Sequence, residues 1–238
     1  MLFNKLSLTV AVAAAFSLAA CGGAAKDEKK ADGAAAAGAN VIKIASVSPL
    51  SGGTANAGKD NQAGAQLAVE EVNAKGGVEV AGKKYMLELI SEDDGADPKQ
   101  GTIVAQKIAD DKSISAVIGH YNSGVTMAAQ PIYAKAGLVS ITPSATNPDV
   151  TVKASKSESG GTLMYRMVAH DGMQGPALAV YAQKKGVKTI AIVDDATTYG
   201  KGMADQVERK AKELGLTVVS HDAATDKTTD FKNILTKI

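Results

Sequence analysis

The sequence predicts an α/β fold built on parallel sheets, and three observations carry that expectation. First, short apolar runs alternate with longer segments of helical periodicity along residues 41–238, the pattern of strand–helix–strand units. Second, Ala116-Val117-Ile118 and Leu138-Val139-Ser140-Ile141 read as buried parallel strands. Third, each is followed at once by a polar cluster. His120-Tyr121-Asn122-Ser123 follows the first, and Thr142-Pro143-Ser144-Ala145-Thr146-Asn147-Pro148 the second. Open doubly wound sheets bind ligands beyond the carboxyl ends of their strands. The hydroxyls of Ser123, Ser144 and Thr146 are therefore expected at one rim. Ser123 also precedes a helical pattern, so free backbone N–H groups should point there, which suits an anion such as a small carboxylate.

Taken in order, residues 42–47 are the first strand, broken by Pro49 and Ser51-Gly52-Gly53. A helix over residues 58–75 carries Ala65, Ala68, Val69 and Val72 on its inner face and stops at Gly76-Gly77. Residues 85–91 are the second strand. Asp97-Pro98 opens the next helix, with the aspartate as N-cap and proline at the first helical position. Ile103, Val104, Lys107 and Ile108 continue its inner face. A strand over 114–118, a helix over 123–135 and a strand over 138–141 follow. Residues 151–162 are polar and read as a surface loop, and 165–168 as a short strand. A helix over 171–185 leads to a buried strand over 188–193. Asp194, Asp195, Thr197, Thr198 and Tyr199 form the loop at its end. Helix to residue 214, strand 217–220 and a last helical pattern from Thr229-Asp230 through Phe231, Ile234, Leu235 and Ile238 complete the chain.

Several chemistries are set aside. Charged residues make up 21% of the chain and the formal net charge is +1, which gives no electrostatic basis for a nucleic-acid partner. With three Phe, six Tyr and no Trp, base stacking is poorly supplied as well. Ser51-Gly52-Gly53 is neither a dinucleotide fingerprint nor a phosphate loop, and reads as a rim loop beside the ligand. Glu92, Asp93, Asp94 and Asp97 read as a solvated turn and a helix cap rather than a metal site. His120 reads as a structural histidine, with Asp93 and His120 holding adjacent strand-end loops together. There is no Gly-x-Ser-x-Gly elbow. No enzyme activity, metal or cofactor is expected.

The N-terminus has a different character. Lys5 precedes an uncharged apolar run over residues 6–20, too short to span a bilayer comfortably. It reads as a secretory signal. Leu18-Ala19-Ala20-Cys21-Gly22 resembles a bacterial lipobox, so Cys21, the only cysteine, is expected to be lipidated after cleavage. Multiple acyl chains suffice for stable anchoring. Residues 22–40 lack any large apolar side chain and read as a flexible tether.

The rim residues also carry a family resemblance. Gly119-His120, Ser123 and Ile141-Thr142-Pro143-Ser144-Ala145-Thr146-Asn147-Pro148 are similar to the ligand-binding core of the leucine/isoleucine/valine-binding proteins. So are Ser51-Gly52, Asn73-Ala74-Lys75-Gly76-Gly77, Asp93-Asp94, Asp97-Pro98-Lys99-Gln100, Gln174-Gly175-Pro176 and Tyr199-Gly200, and the likeness runs from about residue 41 to the last. The resemblance implies the type I periplasmic-binding-protein fold: two doubly wound parallel-sheet lobes joined by a hinge. It divides the chain into a signal over 1–20, a tether over 21–40, an N-terminal lobe over 41–166 and a partial second lobe over 167–238. On that comparison the second lobe is incomplete and the chain truncated.

The resemblance further implies a monomeric extracytoplasmic receptor that hands an amino acid, branched-chain or aliphatic, to an ABC permease and its ATPase. The alternative is an envelope sensor with the same fold. By position, Ser123 and Thr146 would hold the α-carboxylate through hydroxyls and N–H groups. Ser144 would offer its carbonyl to the α-ammonium, Tyr199 would close over the ligand, and Tyr121 and Asn122 would flank the pocket. Three positions depart from the pattern. Ala57 stands where the family has an aromatic wall residue, and Ala96 and Asn122 where it has a cysteine pair. The side-chain wall therefore differs, and the ligand class is an amino acid or related small carboxylate.

Overall fold

The computed structural model describes residues 40–238. The expected signal and the expected lipidation site, Cys21, lie outside the described residues, as does all of the expected tether except Asn40, which already belongs to the first strand.

Six strands form the larger sheet. They are β1 (Asn40–Ser48), β2 (Val78–Val80), β3 (Lys83–Asp93), β4 (Ile114–Gly119), β5 (Val139–Thr142) and β6 (Met164–Arg166), in the order β2-β3-β1-β4-β5-β6. All neighbours run parallel except β2, which pairs antiparallel with β3. The sheet is therefore mixed. Sequence reading missed β2 because three residues of which two are exposed, Val78–Val80, carry too little apolar patterning to register. Its turn is marked by Ala81 and Gly82 at positive φ.

Between these strands lie α1 (Ala55–Ala74), α2 (Pro98–Asp110), α3 (Ser123–Ala136) and α4 (Asp149–Val152). The core gathers Ala45 and Val47 of β1, Val117 of β4, Val104, Ala105 and Ile108 of α2, and Ala129 and Tyr133 of α3. Periodicity located α2, but its inner face is rotated from the expected one. Gly101, Val104, Ala105 and Ile108 are buried, whereas Ile103 is 63% exposed and Lys107 is exposed. Positions three and four apart share a face, and the close approach of α3 selects the stripe through Gly101. A Cβ at Gly101 would lie 2.3 Å from Val125 Cγ1. On α1, Ala65 and Val69 are buried as expected, while Ala68 faces solvent. The polar stretch 151–162 is not all loop, since α4 takes its start and Lys156 bridges Thr162.

After β6 the chain enters α5 (Asp171–Lys184), β7 (Thr189–Asp194), α6 (Thr198–Glu213), β8 (Thr217–Ala223) and the single turn α7 (Lys232–Leu235). β7 and β8 pair in parallel as a separate two-stranded sheet. Thr198 and Tyr199 lie in the first turn of α6, not in a loop. Likewise the helix expected from Thr229-Asp230 through Ile238 is only one turn. Leu235 and Ile238 are 64% and 63% exposed, so no burial offsets the cost of nucleating a longer one.

Gly119, at the end of β4, has φ +144°, and a Cβ there would stand 2.4 Å from Val47 O. Gly119→Ala is therefore expected to cost more than about 2 kcal/mol, through both backbone strain and the clash with β1. Urea unfolding measures it, and an unchanged midpoint would contradict this account.

Candidate functional site

The carboxyl ends of β1, β3, β4 and β5 are locked by a polar chain that starts in the core. His120 is 1% exposed and Asp94 is fully buried. His120 Nδ1 lies 2.7 Å from Asp94 Oδ2, and Nε2 lies 3.1 Å from the Tyr133 hydroxyl. Burial, with Asp94 and Glu92 adding, drives the Tyr133 phenol well above its ordinary pKa, so it keeps its proton and can donate it to the ring. Thr142 then donates to the His120 carbonyl at 2.6 Å and accepts from the N–H groups of Ala145 at 2.9 Å and Ser144 at 3.3 Å. The rim loop carrying Ser144, Ala145 and Thr146 is thus anchored to β4. Asp93 has a different task from the one expected. It does not touch His120 but accepts from Leu50 N–H at 2.7 Å and Gly95 N–H at 2.8 Å. Burial pushes its pKa up, but bonds from Ser51, Gly95 and Leu50 outweigh this and hold it below the ordinary carboxylate value.

This frame borders a cavity of about 690 Å³. One wall comes from α3 and the β5 rim, with Tyr121, Asn122, Ser123, Gly124, Ser144 and Thr146. The other is the turn into α6, from Asp195 to Tyr199. The walls approach closely. A Cβ on Gly124 would lie 3.0 Å from Thr198 Oγ1, and Asn147 Nδ2 donates to Thr198 O at 2.8 Å. Both α3 and α6 point their N-termini at this space. The N-cap of α3 is Asn122, with Ser123 as its first helical residue, and no side chain caps it. Its first N–H groups are open to a ligand. Ser123 is 1% exposed, and its hydroxyl oxygen accepts from Asn147 N–H at 3.2 Å, leaving the O–H free to donate. No lysine or arginine is among the described residues that line the cavity.

One group behind the cavity has no partner. Asp171, the first residue of α5, is fully buried, and neither carboxylate oxygen accepts a hydrogen bond of ordinary geometry. Its N–H donates to Thr146 O at 2.9 Å, which sets it directly behind the rim, where the buried Thr146 hydroxyl faces its carboxylate without an ordinary hydrogen bond. Burial raises the Asp171 pKa, with Thr146, Arg166 and His170 offsetting part of that. Burial, then the charges of Asp171 and Asp195, raise Tyr199 in turn. An ionised carboxylate in this position is complementary to a cation.

The periplasmic binding protein family model matches residues 41–238. The chain belongs to that family. As a periplasmic binding protein it is 36% identical, over 84% of its length and 51% of the relative's, to a leucine-, isoleucine-, valine-, threonine-, and alanine-binding protein of Pseudomonas aeruginosa. It is 38% identical to the Leu/Ile/Val-binding protein of Escherichia coli, over 83% of this chain and 51% of that one. Among solved structures it is similar to the branched-chain amino acid transporter substrate binding protein of Streptococcus pneumoniae in complex with isoleucine. There the TM-score is 0.70 at 31% identity, covering 84% of this chain and 54% of that one. The chain spans about half the length of the curated relatives it matches.

In this periplasmic binding protein all six expected site residues, Ser123, Ser144, Thr146, Tyr199, Tyr121 and Asn122, line one cavity. Ala96 lines it as well, but Thr54 rather than Ala57 supplies the residue from the α1 side. Sequence reading missed two contributors. Asn61 of α1 donates to Ser144 Oγ at 2.9 Å. Asp171 was read only as part of a helix start. Its acidic type at the opening of a helix is ordinary, and only burial distinguishes it. The acidic residues near β3 do not gather as a metal centre, and no metal-ligating cluster is present among the described residues.

Proposed function

We propose that this chain forms the ligand-binding part of an extracytoplasmic receptor that captures an aliphatic amino acid for an ABC importer. The observation that carries the reading is the polarity of the cavity. One end offers neutral donors, namely the free Ser123 hydroxyl and the uncapped start of α3. Beside it lies the unpartnered carboxylate of Asp171, behind Thr146. Donors for a carboxylate next to a buried negative charge are complementary to a zwitterion. A simple carboxylate would meet Asp195 on the cavity lining with no lysine or arginine there to offset it.

Ser123 and Thr146 hold the α-carboxylate, the Ser144 carbonyl and the Asp171 charge receive the α-ammonium, and Tyr121, Asn122 and Tyr199 border the side chain. The relatives' ligands, as their names give them, are consistent with this class. The protein is exported and anchored through lipidated Cys21. It works as a monomer with a permease and its ATPase, and a hinge between the two sheets closes the cleft.

Asp171→Asn separates ligand classes. Leucine should bind the variant about 10-fold or more weakly, as expected for loss of a charged partner. Binding of its des-amino analogue, 4-methylpentanoate, should not weaken. Because the folded-state pKa of Asp171 is raised, its ionised form lowers stability. Any stability it confers is present below the unfolded value and lost as pH rises through the folded one. The ligand-free variant should therefore melt higher near neutral pH, and this gain should vanish at acid pH. Calorimetric titration reads the first effect and a melting curve the second. Equal losses for leucine and 4-methylpentanoate would overturn the zwitterion assignment.

A further inference from the structure

Behind the α6 wall of the cavity, three elements meet around one imidazole. His221 of β8 places Nδ1 2.6 Å from Glu208 Oε2 of α6, and Nε2 3.1 Å from Asp194 Oδ2 at the end of β7. An ionised carboxylate only accepts, so both contacts are hydrogen bonds only when both ring nitrogens donate, which requires the imidazolium. Asp194 is shared. Its Oδ1 accepts the Ala196 N–H at 2.6 Å, and its carbonyl accepts from Ala224 at 2.9 Å. Ala196 sits at φ +60°, a conformation an alanine adopts only where its surroundings hold it. The residues on either side of it, Asp195, Thr197, Thr198 and Tyr199, all line the cavity.

We propose that His221 is a positioning residue for ligand binding: bridged between Glu208 and Asp194, it fixes the Asp194 carboxylate and, through it, the Ala196 turn that carries Thr197, Thr198 and Tyr199 to the ligand. The proposal rests on the cavity being the ligand site. The other charged groups around the ring fit it. On α6, Lys201 pairs with Asp205 at 3.0 Å and Lys212 with Glu208 at 2.5 Å. On β8, Asp222 pairs with Lys237. Asp194, Asp205, Glu208 and Asp222 thus face three lysines, and the imidazolium is the fourth cation. The Glu208 bond holds the His221 pKa above its ordinary value; burial offsets part of this, and Asp194 adds to it. A neutral ring can donate from one nitrogen only. Its shorter bond is to Glu208, so Asp194 is the carboxylate released, and the turn loosens.

The stabilisation is fully present below the unfolded histidine pKa, about 6.5, and is lost as pH rises through the raised folded value. The test is an NMR titration of the protein between about pH 5 and pH 9, following the His221 ring and the amides of Ala196 and Thr197. The amides should titrate with the ring's midpoint, Glu208→Gln should lower both midpoints together, and His221→Gln should abolish the amide titration. Across the same range, wild-type affinity for leucine should fall about 3- to 10-fold as the ring loses its proton, while His221→Gln shows a flat profile at the weaker value. Amides that ignore the ring, or identical affinity profiles for wild type and His221→Gln, would overturn the proposal. Failure of leucine to bind at any pH would instead count against the functional reading, and the amide titration would still decide the linkage from His221 to the turn.

Discussion

Asp94→Leu is expected to cost about 3–5 kcal/mol of folding stability, because it leaves a buried imidazole without its partner. Asp94 and His120 are 0% and 1% exposed, so water cannot replace the lost bond at His120 Nδ1. The damage does not stop at that pair. The same histidine carries the Thr142 bond on its carbonyl and faces the Tyr133 hydroxyl, and these span β4, β5 and α3. Domains of this size are held by roughly 5–15 kcal/mol in all, so the variant should be largely unfolded under mild denaturant. Urea unfolding of Asp94→Leu, His120→Leu and the double variant decides the matter. The double variant should recover only part of the loss, since it removes the orphaned imidazole donor but leaves the buried Tyr133 hydroxyl and the Ala96 N–H without their acceptors. A loss below about 1 kcal/mol for Asp94→Leu would show that the pair is incidental to the fold.

Ser123→Ala combined with Thr146→Ala should weaken amino-acid binding by at least about 100-fold, given about 1.5–3 kcal/mol for each hydrogen bond to a charged group. The two hydroxyls differ in the free protein. Ser123 accepts from Asn147 N–H, so its loss also leaves a buried donor unpaired and should lower the melting temperature slightly. Thr146 makes no ordinary hydrogen bond in the free protein and only eases the buried charge of Asp171, so its cost should appear mainly in binding. Calorimetric titration with leucine measures the first quantity and thermal unfolding the second. Affinity within about threefold of wild type, in a variant that still folds, would remove the carboxylate from this end of the cavity.

The α/β class and the rim were legible because parallel strands leave apolar runs and their ends leave polar clusters. Ser123, Ser144 and Thr146 come together because β4 and β5 are neighbours in register, with Ala116 opposite Val139 and Ile118 opposite Ile141. The inner face of α2 was misjudged since Ile103 and Val104 are equally apolar, and only the approach of α3 at Gly101 separates them. Helical patterning at the last residues overstated α7, because propensity without a surface to pack on does not sustain a helix.

From sequence alone came the order of elements, the alignment of hydroxyls at strand ends and the absence of a nucleophile elbow or phosphate loop. These depend on local periodicity and on residue type. Tertiary structure alone decided which acids matter. Asp93, Asp94, Asp171 and Asp194 are the same side chain, yet one braces a loop by its backbone N–H groups, one is locked to a buried histidine, one is left unpartnered behind the rim, and one is shared between an imidazole and a strained turn. A carboxylate's role is set by its desolvation and by the donors within about 3 Å of it. Those donors come from residues as far as 43 positions away in the chain, a distance at which no local pattern speaks.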